Sequence, residues 1–560
     1  MSAAMSLYLD AASILYSDSG SGGSFKSRVY KSKLRSPARQ VYALIAETAK
    51  WDILLKEVVE NANFLPLEPK LTPLLSILLV HDFLLTKKGI VAPSNHPLRL
   101  AIERHKSRIK AEFVKSRVHR QCASIEELKA LVKRQKNASG REDSILVPPR
   151  WARINNVITT LDEQLKTTFS AYKLVHSLSE LVATTPDSLY QDPHIPDLVA
   201  VSQDAQLTSS AAYKKGMIIL QDKASCFPAY LLLGSDAAQW KGDLLDACAA
   251  PGNKTTHLAS LLYSSSKSHF GDGIHSTQDK FTIFSCDVSP NRSRILQRMV
   301  AIAGAETMVS VLPGQDFLAL SPDDKRFQDV TGILLDPSCS GTGIAGRDDM
   351  PCLALPSLQD PHDRGMKRKR PAPTPVPTLG RPAASEHQNT TNIDPGRLTK
   401  LSNLQTRIVE HAFRFPNATR VTYSTCSIHV QENEVVIARV LKSPVAQRRG
   451  WRIISRHEQV EGLRKWKYRG ITPGESGDGG GEIWDLTETE REGCLRCWPN
   501  DKECTGGFFV AGFVRDGSFE RNRNAVDTTI CPTGGGKEAE GNGNVAQFDE
   551  ESDWEGFGAE

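Results

Sequence analysis

Short apolar runs alternate with stretches of helical pattern from residue 243 onward, and this alternation restricts the fold more than any other feature of the chain. The runs are Asp243 to Leu245, Phe281 to Cys286, Met308 to Leu312, Gly332 to Leu335, Arg420 to Tyr423 and Phe508 to Val514. Strands that alternate with helices favour crossover connections, which build a parallel sheet covered on both faces. The pattern predicts a Rossmann-like α/β domain with a doubly wound, mostly parallel sheet.

Two phrases that contain cysteine follow runs of this kind. Cys339 lies in Asp-Pro-Ser-Cys-Ser-Gly-Thr-Gly, from Asp336 to Gly343, and Cys426 lies in Thr-Tyr-Ser-Thr-Cys-Ser, from Thr422 to Ser427. Loops at strand ends carry the chemistry of parallel α/β sheets. An isolated cysteine is more often a small buried hydrophobe. A thiol can add to an electron-poor ring carbon and leave again, so two thiols in such loops indicate covalent catalysis.

The whole chain has the properties of a soluble protein that is not secreted. Its 560 residues, 39% of them hydrophobic, are enough for two or three domains. The eleven cysteines are scattered, which favours reduced thiols in a cytosolic or nuclear compartment. No secretory leader is evident at the N-terminus, and the most apolar run, Leu71 to Leu85, is interrupted by His81 and Asp82. We therefore expect no membrane contact.

A cluster of three cysteines near the C-terminus raises the question of a metal site. Cys494, Cys497 and Cys504 lack a clear fourth ligand, and no histidine follows them. Structural zinc sites are closed by four ligands. We therefore predict no metal.

Charge is distributed unevenly along the chain, although the formal net charge is only +4. Ser21 to Lys50 carries seven Lys/Arg against one acidic residue, and Ala101 to Arg150 carries thirteen against six. From Val514 onward, eleven acidic residues face four basic ones. A basic N-terminal third is typical of nucleic-acid binding. A solvated helical face is the alternative that charge alone leaves open.

The basic residues predict a particular RNA-binding surface. One predicted helix carries Arg104, Lys106, Arg108, Lys110, Lys115, Arg117 and Arg120, and a following strand carries Arg150 and Arg153. Phosphate contacts are expected from Arg104, Lys106, Arg108, Lys110, Arg150 and Arg153.

Composition predicts the division into domains. We expect a flexible leader at 1–25, a helical and basic RNA-binding domain at 26–140, a small mixed α/β subdomain at 141–210, a catalytic domain at 211–515 and an acidic disordered tail at 516–560. An insertion at 345–395, rich in Pro and Asp, is expected to be disordered. Its Lys367-Arg-Lys-Arg370 tetrad fits either a nuclear-import signal or a solvated charge run.

The segment from Leu244 to His257 predicts a cofactor loop between a strand and a helix. It lacks the glycine patterns of nucleotide triphosphate and dinucleotide sites. Backbone amides at Ala249 to Gly252 could instead hold a carboxylate such as that of S-adenosylmethionine. Asp287, at the end of the next strand, could bind both ribose hydroxyls.

Two further side chains are candidates for the same pocket. Arg292 follows Asp287 by about one helical turn and could reach the pocket or face solvent. Asp316 follows the third strand and could accept a hydrogen bond from an adenine amino group. Helix capping is the alternative role for Asp316.

Several ordered motifs resemble the Nop/Sun (NSUN, RsmB-like) family of RNA cytosine-C5 methyltransferases. They are Gln221-Asp-Lys-Ala-Ser, Cys248-Ala-Ala-Pro-Gly-Asn-Lys254, Asp336-Pro-Ser-Cys-Ser-Gly-Thr-Gly, Tyr423-Ser-Thr-Cys-Ser with Glu432-Asn-Glu434, and Gly506-Gly-Phe-Phe-Val-Ala. The segments Leu79-Val-His-Asp-Phe-Leu-Leu and Arg104-His-Lys-Ser-Arg are most similar to the fifth NSUN member and its fungal counterparts. Asn253, in place of a glycine, and Ser338, between proline and cysteine, are variants of that same member.

The resemblance implies the roles of the site residues. Cys426 is expected to attack carbon 6 of cytosine, Cys339 to resolve the adduct, and Asp336 to act as base or to stabilise charge on the ring. Lys254 is expected to reach the base or the cofactor carboxylate. The expected contacts to S-adenosylmethionine are Cys248, Ala249, Ala250, Pro251, Gly252, Asn253, Lys254, Asp287, Arg292, Asp316 and Asp336.

The resemblance also implies a substrate and a place of action. The fifth NSUN member and its fungal counterparts act on large-subunit (25S/28S) ribosomal RNA. That implies pre-ribosomal particles as partners and the nucleus and nucleolus as the location. The sequence leaves the oligomeric state open, and a monomer is our expectation. Transfer RNA or another ribosomal site is the alternative within the enzyme class. A ribosome-assembly factor that binds RNA without catalysis is the alternative outside it, and methylation of a nitrogen is disfavoured because it needs no cysteine.

Overall fold

The computed structural model describes residues 6–16, 25–125, 127–129, 131–132, 148–183, 187–203, 205–270, 281–344, 351, 353–357, 395–475, 484–499 and 501–515. The chain divides into two compact units, Met1–Val147 with Ile344–Pro395 and Pro148–Gly343 with Gly396–Glu560. The predicted tail 516–560 and the Lys367–Arg370 tetrad lie outside the described residues. None of the described helices is long and apolar enough to cross a membrane.

The described part of the first unit is helical, as predicted for the N-terminal domain. Its helices are α1 Ser6–Tyr16, α2 Phe25–Lys31, α3 Ala38–Ala62, α4 Pro73–Leu85, α5 Pro97–Arg104 and α6 Lys106–His119. Helix α4 begins with Pro73 after Thr72, whose hydroxyl accepts the amide hydrogen of Leu75 at 3.2 Å. Proline at the first helical position and threonine at the N-cap are favourable helix starts.

Helix α4 is apolar on most sides because it lies inside the bundle, and its adjacent polar residues His81 and Asp82 are buried together. Asp82 accepts a hydrogen bond from the hydroxyl of Tyr8 at 2.6 Å and lies 3.0 Å from Nδ1 of His81. The hydroxyl of Tyr8 in turn accepts the amide of Val91 at 2.9 Å. Burial and the Asp82 carboxylate raise the pKa of Tyr8. The polar interruption of the apolar run is therefore a hydrogen-bonded part of the core.

The first unit corrects three predictions. Residues 6–16 are not a flexible leader, because Tyr8 and its neighbours on α1 pack into the helical core. The basic residues do not lie on one helix, because α5 ends at Arg104 and α6 begins at Lys106. Residues 353–357, in the predicted disordered insertion, pack against the bundle instead.

The packing of residues 353–357 involves α3. The amide of Ala354 donates to Asp52 at 2.9 Å, and the amide of Ser357 donates to Glu60 at 3.0 Å. Leu353 packs against the hydrophobic core of the bundle. A segment that follows the Cys339 loop in sequence is thus an integral part of the N-terminal unit.

The second unit begins with a small five-stranded sheet. Its strands are β1 Arg150–Ile154, β2 Lys173–Val175, β3 Ser188–Gln191, β4 Leu198–Val201 and β5 Ile218–Leu220, in the order β2-β3-β4-β1-β5. Helices α7 Leu161–Lys166, α8 Leu178–Ala183 and α9 Ala211–Lys214 connect them. Because β5 pairs with β1, the subdomain extends past the predicted boundary at residue 210.

The central strands of the large sheet are parallel, as predicted. Its strands are β6 Asp243–Asp246, β7 Ile283–Asp287, β8 Val309–Pro313, β9 Val330–Leu335, β10 Arg420–Thr425, β11 Trp451–Ile453, β12 Leu495–Cys497 and β13 Phe508–Arg515. The order is β11-β13-β10-β9-β6-β7-β8, and β12 also pairs with β13. Strands β8, β7, β6, β9 and β10 are parallel, whereas β13 is antiparallel to its neighbours. The short strands β11 and β12 were not predicted.

Helices cover both faces of the large sheet, which confirms the doubly wound prediction. They are α10 Lys223–Leu233, α11 Asn253–Phe270, α12 Pro290–Ile302, α13 Pro395–Ala412, α14 Glu434–Leu441, α15 Pro444–Arg449, α16 Glu461–Lys465 and α17 Glu488–Gly493. Leu334 packs in one core with α10, α11 and α12, whereas Ile333 and Leu335 pack in the other with α13 and α14. Side chains along a strand point alternately to its two faces, so both faces of β9 are apolar.

A buried ionic cluster joins the small sheet to the large-sheet domain. The ammonium of Lys223, which is 0% exposed, lies 2.6 Å from Asp192 and 2.8 Å from Glu503. Asp192 follows β3 of the small sheet, and Glu503 lies between β12 and β13. Breaking one partner of a buried ion pair leaves an uncompensated charge. The cluster therefore holds the small sheet on the domain that carries the cysteines.

Candidate active site

The strand order places the predicted loops at the switch point of the sheet. From β6 the chain goes outward through β7 and β8, and then returns to β9 on the other side of β6. Ligands of open α/β sheets bind in the crevice at such a reversal, beyond the carboxyl ends of the strands. The loop after β6 and the loop after β9, which begins at Asp336, both lie there.

The loop after β6 is held close to helix α12. Gly252 has φ of +114°, and a Cβ at this position would lie 3.1 Å from Leu296 and from Met299. Only glycine adopts such a backbone without strain. The amide of Ala249 donates to the carbonyl of Cys286 at 2.9 Å, which ties the loop to β7. Cys248 is adjacent, and burial raises the pKa of its thiol well above the usual value; its contact with the cofactor stays a prediction.

Asp287, the last residue of β7, and Arg292, in the first turn of α12, both contact the loop after β6. Asp287 is 3% exposed and accepts the amides of Ala250 at 3.3 Å and Ser289 at 3.0 Å. Arg292 donates to the carbonyl of Ala250 at 2.7 Å and lies 3.4 Å from Asp287. The guanidinium thus ties the loop after β6 to the first turn of α12, and its contact with the cofactor stays a prediction.

Asp316 caps a helix, which is the role that the sequence left open as the alternative to a contact with adenine. Its carboxylate accepts the amide of Leu318 at 3.0 Å at the start of the 3₁₀ helix Phe317–Ala319. The side chain is nevertheless exposed beyond the end of β8. The adenine contact stays a prediction.

Lys254, in the first turn of α11, forms an ion pair with Asp336, the first residue of the loop after β9. The Lys254 ammonium lies 2.7 Å from Asp336 and 3.2 Å from the hydroxyl of Ser225. The hydroxyl of Ser424 donates to the other oxygen of Asp336 at 2.7 Å. Burial is the largest influence on Lys254 and lowers its pKa. The charge and hydrogen bond of Asp336, together with Asp246 and Cys426, nevertheless raise the pKa of the ammonium overall. Lys254 also interacts electrostatically with Cys426.

The two predicted cysteines are in contact. Strands β9 and β10 are parallel neighbours with Leu335 opposite Tyr423, which confirms the predicted adjacency. Cys339 and Cys426 then lie with their sulfurs 3.1 Å apart, and both are free thiols. The hydrogen bond to Cys426, together with burial and nearby negative charge, raises the pKa of Cys339 well above its usual range. A protonated Cys339 can therefore stabilise a thiolate on Cys426.

The structure corrects the prediction that Arg153 contacts RNA. Arg153 is 1% exposed, and it donates to Gln221 at 2.8 Å and to the hydroxyl of Thr256 at 3.0 Å. Burial lowers the pKa of its guanidinium to about 10. The side chain therefore links β1 of the small sheet to helix α11 and does not present its donors to a ligand.

The other predicted RNA contacts are more accessible. Arg104, Lys106, Arg108 and Lys110 are exposed on α5 and α6 of the first unit, and Arg150 is half-buried on β1. Arg104 also pairs with Glu68 at 2.7 Å. Their contact with RNA stays a prediction.

The C-terminal cysteines have packing roles. Cys494 and Cys497 are buried, and burial raises their pKa, as it raises that of Cys504 to about 12. Across the described part of the chain, no group of three or more His, Cys, Asp or Glu could hold a metal ion.

The motif Glu432-Asn-Glu434 has a role in the structure that the sequence alone did not predict. Glu432 binds the Cys339 loop through Ser340, and Asn433 binds the residues on both sides of Cys426. Glu434 pairs with Arg496, whose guanidinium also donates to the carbonyl of Ile428 at 3.1 Å. The signal in the sequence was a cluster of acidic and amide residues just beyond Cys426, in an otherwise apolar stretch.

Comparison with known proteins identifies the family. Residues 39–128 match the model of the NOL1/NOP2/Sun domain family member 5 N-terminal domain, residues 148–221 its ferredoxin-like domain, and residues 233–351 the 16S rRNA methyltransferase RsmB/F family. The chain is 36% identical to the 25S rRNA (cytosine-C(5))-methyltransferase rcm1 of Schizosaccharomyces pombe over 90% of this chain and 91% of that protein. The chain belongs to the NOL1/NOP2/Sun domain family, in the subgroup of member 5.

Two further matches extend this comparison. The 28S rRNA (cytosine-C(5))-methyltransferase of Mus musculus is 32% identical over 91% of each chain. Among solved structures, a methyltransferase homologue from Pyrococcus horikoshii is 19% identical, with a TM-score of 0.44 over 69% of this chain and 90% of that one. The family and subgroup predicted from the motifs are confirmed by the sequence relatives.

Membership of this methyltransferase family implies S-adenosylmethionine as cofactor, and the residues at the switch point suit it. Asp287 offers a carboxylate at the end of β7, where a ribose binds in this class of fold. Arg292 and Lys254 place positive charge beside the loop, as a methionine carboxylate needs. The tightly turned loop at Gly252 leads directly into α11, and the N-terminal amides of a helix are a favourable place for an anion such as a carboxylate.

We expect Gly343→Ala to destabilise the protein. A Cβ at Gly343 would overlap the carbonyl of Gly507, and the amide of Gly507 donates to the carbonyl of Gly343 at 2.8 Å. Overpacking of this kind costs about 2 kcal/mol. Urea unfolding measures the change, and Gly474→Ala, with no atom within 4 Å of the added carbon, is the matched control. Equal midpoints for the two variants would show that the two loops move apart freely.

We expect Asp246→Asn to flatten the dependence of stability on pH. Burial raises the pKa of Asp246 to about 7, although Thr255 donates to it at 2.7 Å. Between about pH 4 and pH 7 the folded state retains a proton that the unfolded state releases, so stability falls as pH rises. The asparagine variant should lose about 3 kcal/mol less between pH 5 and pH 8. Urea unfolding at both pH values checks this, with the exposed Asp323→Asn as control.

Proposed function

We propose that this chain methylates carbon 5 of a cytosine in large-subunit (25S/28S) ribosomal RNA, with S-adenosylmethionine as methyl donor and through a covalent cysteine adduct. The observation that carries the proposal is the contact of two thiols, 3.1 Å apart, beside an Asp336–Lys254 ion pair at the switch point. The names of the relatives from fission yeast and mouse support the substrate.

Cys426 is the proposed nucleophile. Carbon 5 of cytosine is too weak a nucleophile to attack a methyl sulfonium unaided. When the Cys426 thiolate adds to carbon 6, the ring electrons make carbon 5 enamine-like. Lys254 favours the negative charge on the attacking sulfur, and Asp336, held by Lys254 and Ser424, faces the ring to stabilise its charge. Bound S-adenosylmethionine supplies the electrophilic methyl group.

Cys339 is the proposed group that resolves the adduct. The chief cause of its raised pKa is the hydrogen bond to Cys426. Once Cys426 is bonded to carbon 6, that sulfur is a neutral thioether, so the largest cause is removed and Cys339 loses its proton to solvent more easily, although burial still raises its pKa. The Cys339 thiolate then takes the proton from carbon 5, the ring regains its double bond, and Cys426 leaves as a thiolate.

The binding residues have assigned parts in this scheme. The amides of Ala249 and Ala250 already donate to Cys286 and Asp287, and Pro251 has no amide hydrogen, so Gly252 and Arg292 are assigned to the methionine carboxylate. Asp287 is assigned to the ribose hydroxyls and Asp316 to the adenine amino group. The cytosine must leave its stack to reach the thiols, so single-stranded or opened RNA is the form that binds. We place the chain in the nucleus and nucleolus, on pre-ribosomal particles, because that is where large-subunit ribosomal RNA is assembled.

Cys426→Ala should abolish 5-methylcytosine at one ribosomal site, because no nucleophile is left to activate the ring. Bisulfite sequencing of total RNA from cells that carry the native or variant chain maps every site. Cys339→Ala should instead trap protein on RNA as a slowly migrating band on a denaturing gel, which the double variant should lack. Unchanged 5-methylcytosine at every site with Cys426→Ala would refute catalysis, and loss at a transfer RNA site would reassign the substrate.

Lys106→Ala with Arg108→Ala should weaken RNA binding and reduce its salt dependence. Both side chains are exposed on α6, and each phosphate contact contributes about 0.7 to 0.9 to the slope of log K against log salt. The expected slope change is therefore about 1.5. Filter binding of a ribosomal RNA fragment across a salt series measures it. Lys87→Ala with Lys88→Ala, which removes the same charge from exposed positions, should leave the slope nearly unchanged.

A further inference from the structure

Glu432 is a fully buried carboxylate between the two cysteine loops. Its side chain is 0% exposed. Oε1 accepts the amide of Ser340 at 2.9 Å, and Oε2 accepts the hydroxyl of the same serine at 2.5 Å. An ionised carboxylate is an acceptor only, and both contacts come from donors. Glu432 therefore binds Ser340, the residue that follows Cys339, through both of its oxygens.

The residue that precedes Cys339 is held through the same carboxylate. The side-chain amide of Gln405 donates to Oε1 of Glu432 at 3.0 Å and to the carbonyl of Ser338 at 3.0 Å. Gln405 is itself 0% exposed, on helix α13. Both neighbours of Cys339 are thus tied, directly or through Gln405, to one acidic group.

The Cys426 loop is attached to the same centre. Ser427 Oγ lies 3.0 Å from Ser340 Oγ, the hydroxyl that binds Glu432. The hydroxyl of Tyr423 donates to the backbone carbonyl of Glu432 at 2.6 Å. Asn433 accepts from the hydroxyl of Thr425 at 2.6 Å and donates to the carbonyl of Ser427 at 2.9 Å. The contact between the sulfurs depends on this network.

Glu432 differs from its neighbour Glu434 in having no cationic partner. Glu434 is paired with Arg496, with Nε 2.6 Å from Oε1. Among the described residues, no Lys, Arg or His lies within ion-pair distance of Glu432. Its charge is therefore not neutralised locally, and it acts on Cys339. The hydrogen bond to Cys426, burial and the charge of Cys426 raise the pKa of Cys339 most. Glu432 adds to them, and Asp336 acts in the same direction from the start of the same loop. On the other side, Lys254 interacts with Cys426.

We propose that Glu432 is a positioning residue that makes the two thiols chemically unequal, so that Cys339 retains the shared proton and Cys426 takes the thiolate role. This inference rests on the proposed function, since it explains how one of two touching thiols becomes the nucleophile. A neutral residue at 432 would leave the loops in place and remove the bias. Both thiols would then compete for the same proton.

Glu432→Gln separates charge from shape. The glutamine oxygen can still accept the amide of Ser340, while the negative charge is lost. Alkylation of the full-length protein by iodoacetamide, without RNA or S-adenosylmethionine, reports each cysteine separately by peptide mass spectrometry. In the native chain, we expect Cys426 to react at lower pH than Cys339. In Glu432→Gln the Cys339 profile should move down by about one pH unit, which is roughly a tenfold faster reaction at a fixed pH below its midpoint.

Two further variants keep the test decisive. Glu432→Asp retains the charge and should retain the native Cys339 profile, even where the shorter side chain lowers stability in urea. Glu461→Gln neutralises an exposed glutamate and should change neither profile. If Glu432→Gln is folded by urea unfolding and its Cys339 profile matches the native one, the inference is wrong. The same holds if Glu432→Asp shifts the profile as much as Glu432→Gln does.

The outcome is independent of the test of the proposed function. Alkylation needs no substrate, so an unchanged Cys339 profile would overturn the role of Glu432 while methylation could still depend on Cys426. Conversely, persistence of methylation in Cys426→Ala would overturn the proposed function while the shift in Glu432→Gln could still be observed.

Discussion

The parallel pairing of β9 with β10 is the constraint on which the site depends. Leu335 lies opposite Tyr423, so the residues after the two strands emerge at the same level of the sheet edge. Asp336 is therefore within reach of Ser424, and the Cys339 loop turns back onto Cys426. A slip of one residue would send every side chain of the strand to the opposite face. Ile333, Leu334 and Leu335 are packed into the cores on the two faces of β9, so a slip would disrupt the fit of close-packed side chains, and this packing helps to set the contact of the sulfurs.

Charged side chains of opposite sign lie close to the two thiols that this pairing brings together. Lys254 bridges Asp336 and Ser225 on one side of the thiols, while Glu432 binds Ser340 on the other. A low local dielectric strengthens such interactions and makes unpaired groups costly. The site is thus asymmetric even before any ligand enters. That asymmetry distinguishes two side chains of the same chemical type.

Much of the fold and of the site could be predicted because it depends on short-range pattern. The parallel strands were read from apolar runs, and the two cysteines, Asp336 and Lys254 from motifs at the ends of those runs. What could not be predicted depends on contacts between distant segments. Arg153 has the sequence surroundings of a surface arginine, and only its burial against Gln221 and Thr256 shows otherwise. Likewise, the short strands β11 and β12 exist because β13 offers them pairing edges, not because their own residues demand it.

The packing of residues 353–357 on α3 has a consequence for how the chain folds during synthesis. The contact between Asp52 and Ala354 joins residues 302 positions apart. Between them, the ribosome must synthesise the whole small sheet and the strands β6 to β9 of the large one. The N-terminal helices emerge first, but Leu353 reaches their core only after those strands have been made. Local contacts form before distant ones close, so residues 353–357 pack onto the N-terminal helices late in synthesis. A truncation that removes either these residues or the helices leaves the same hydrophobic core incomplete.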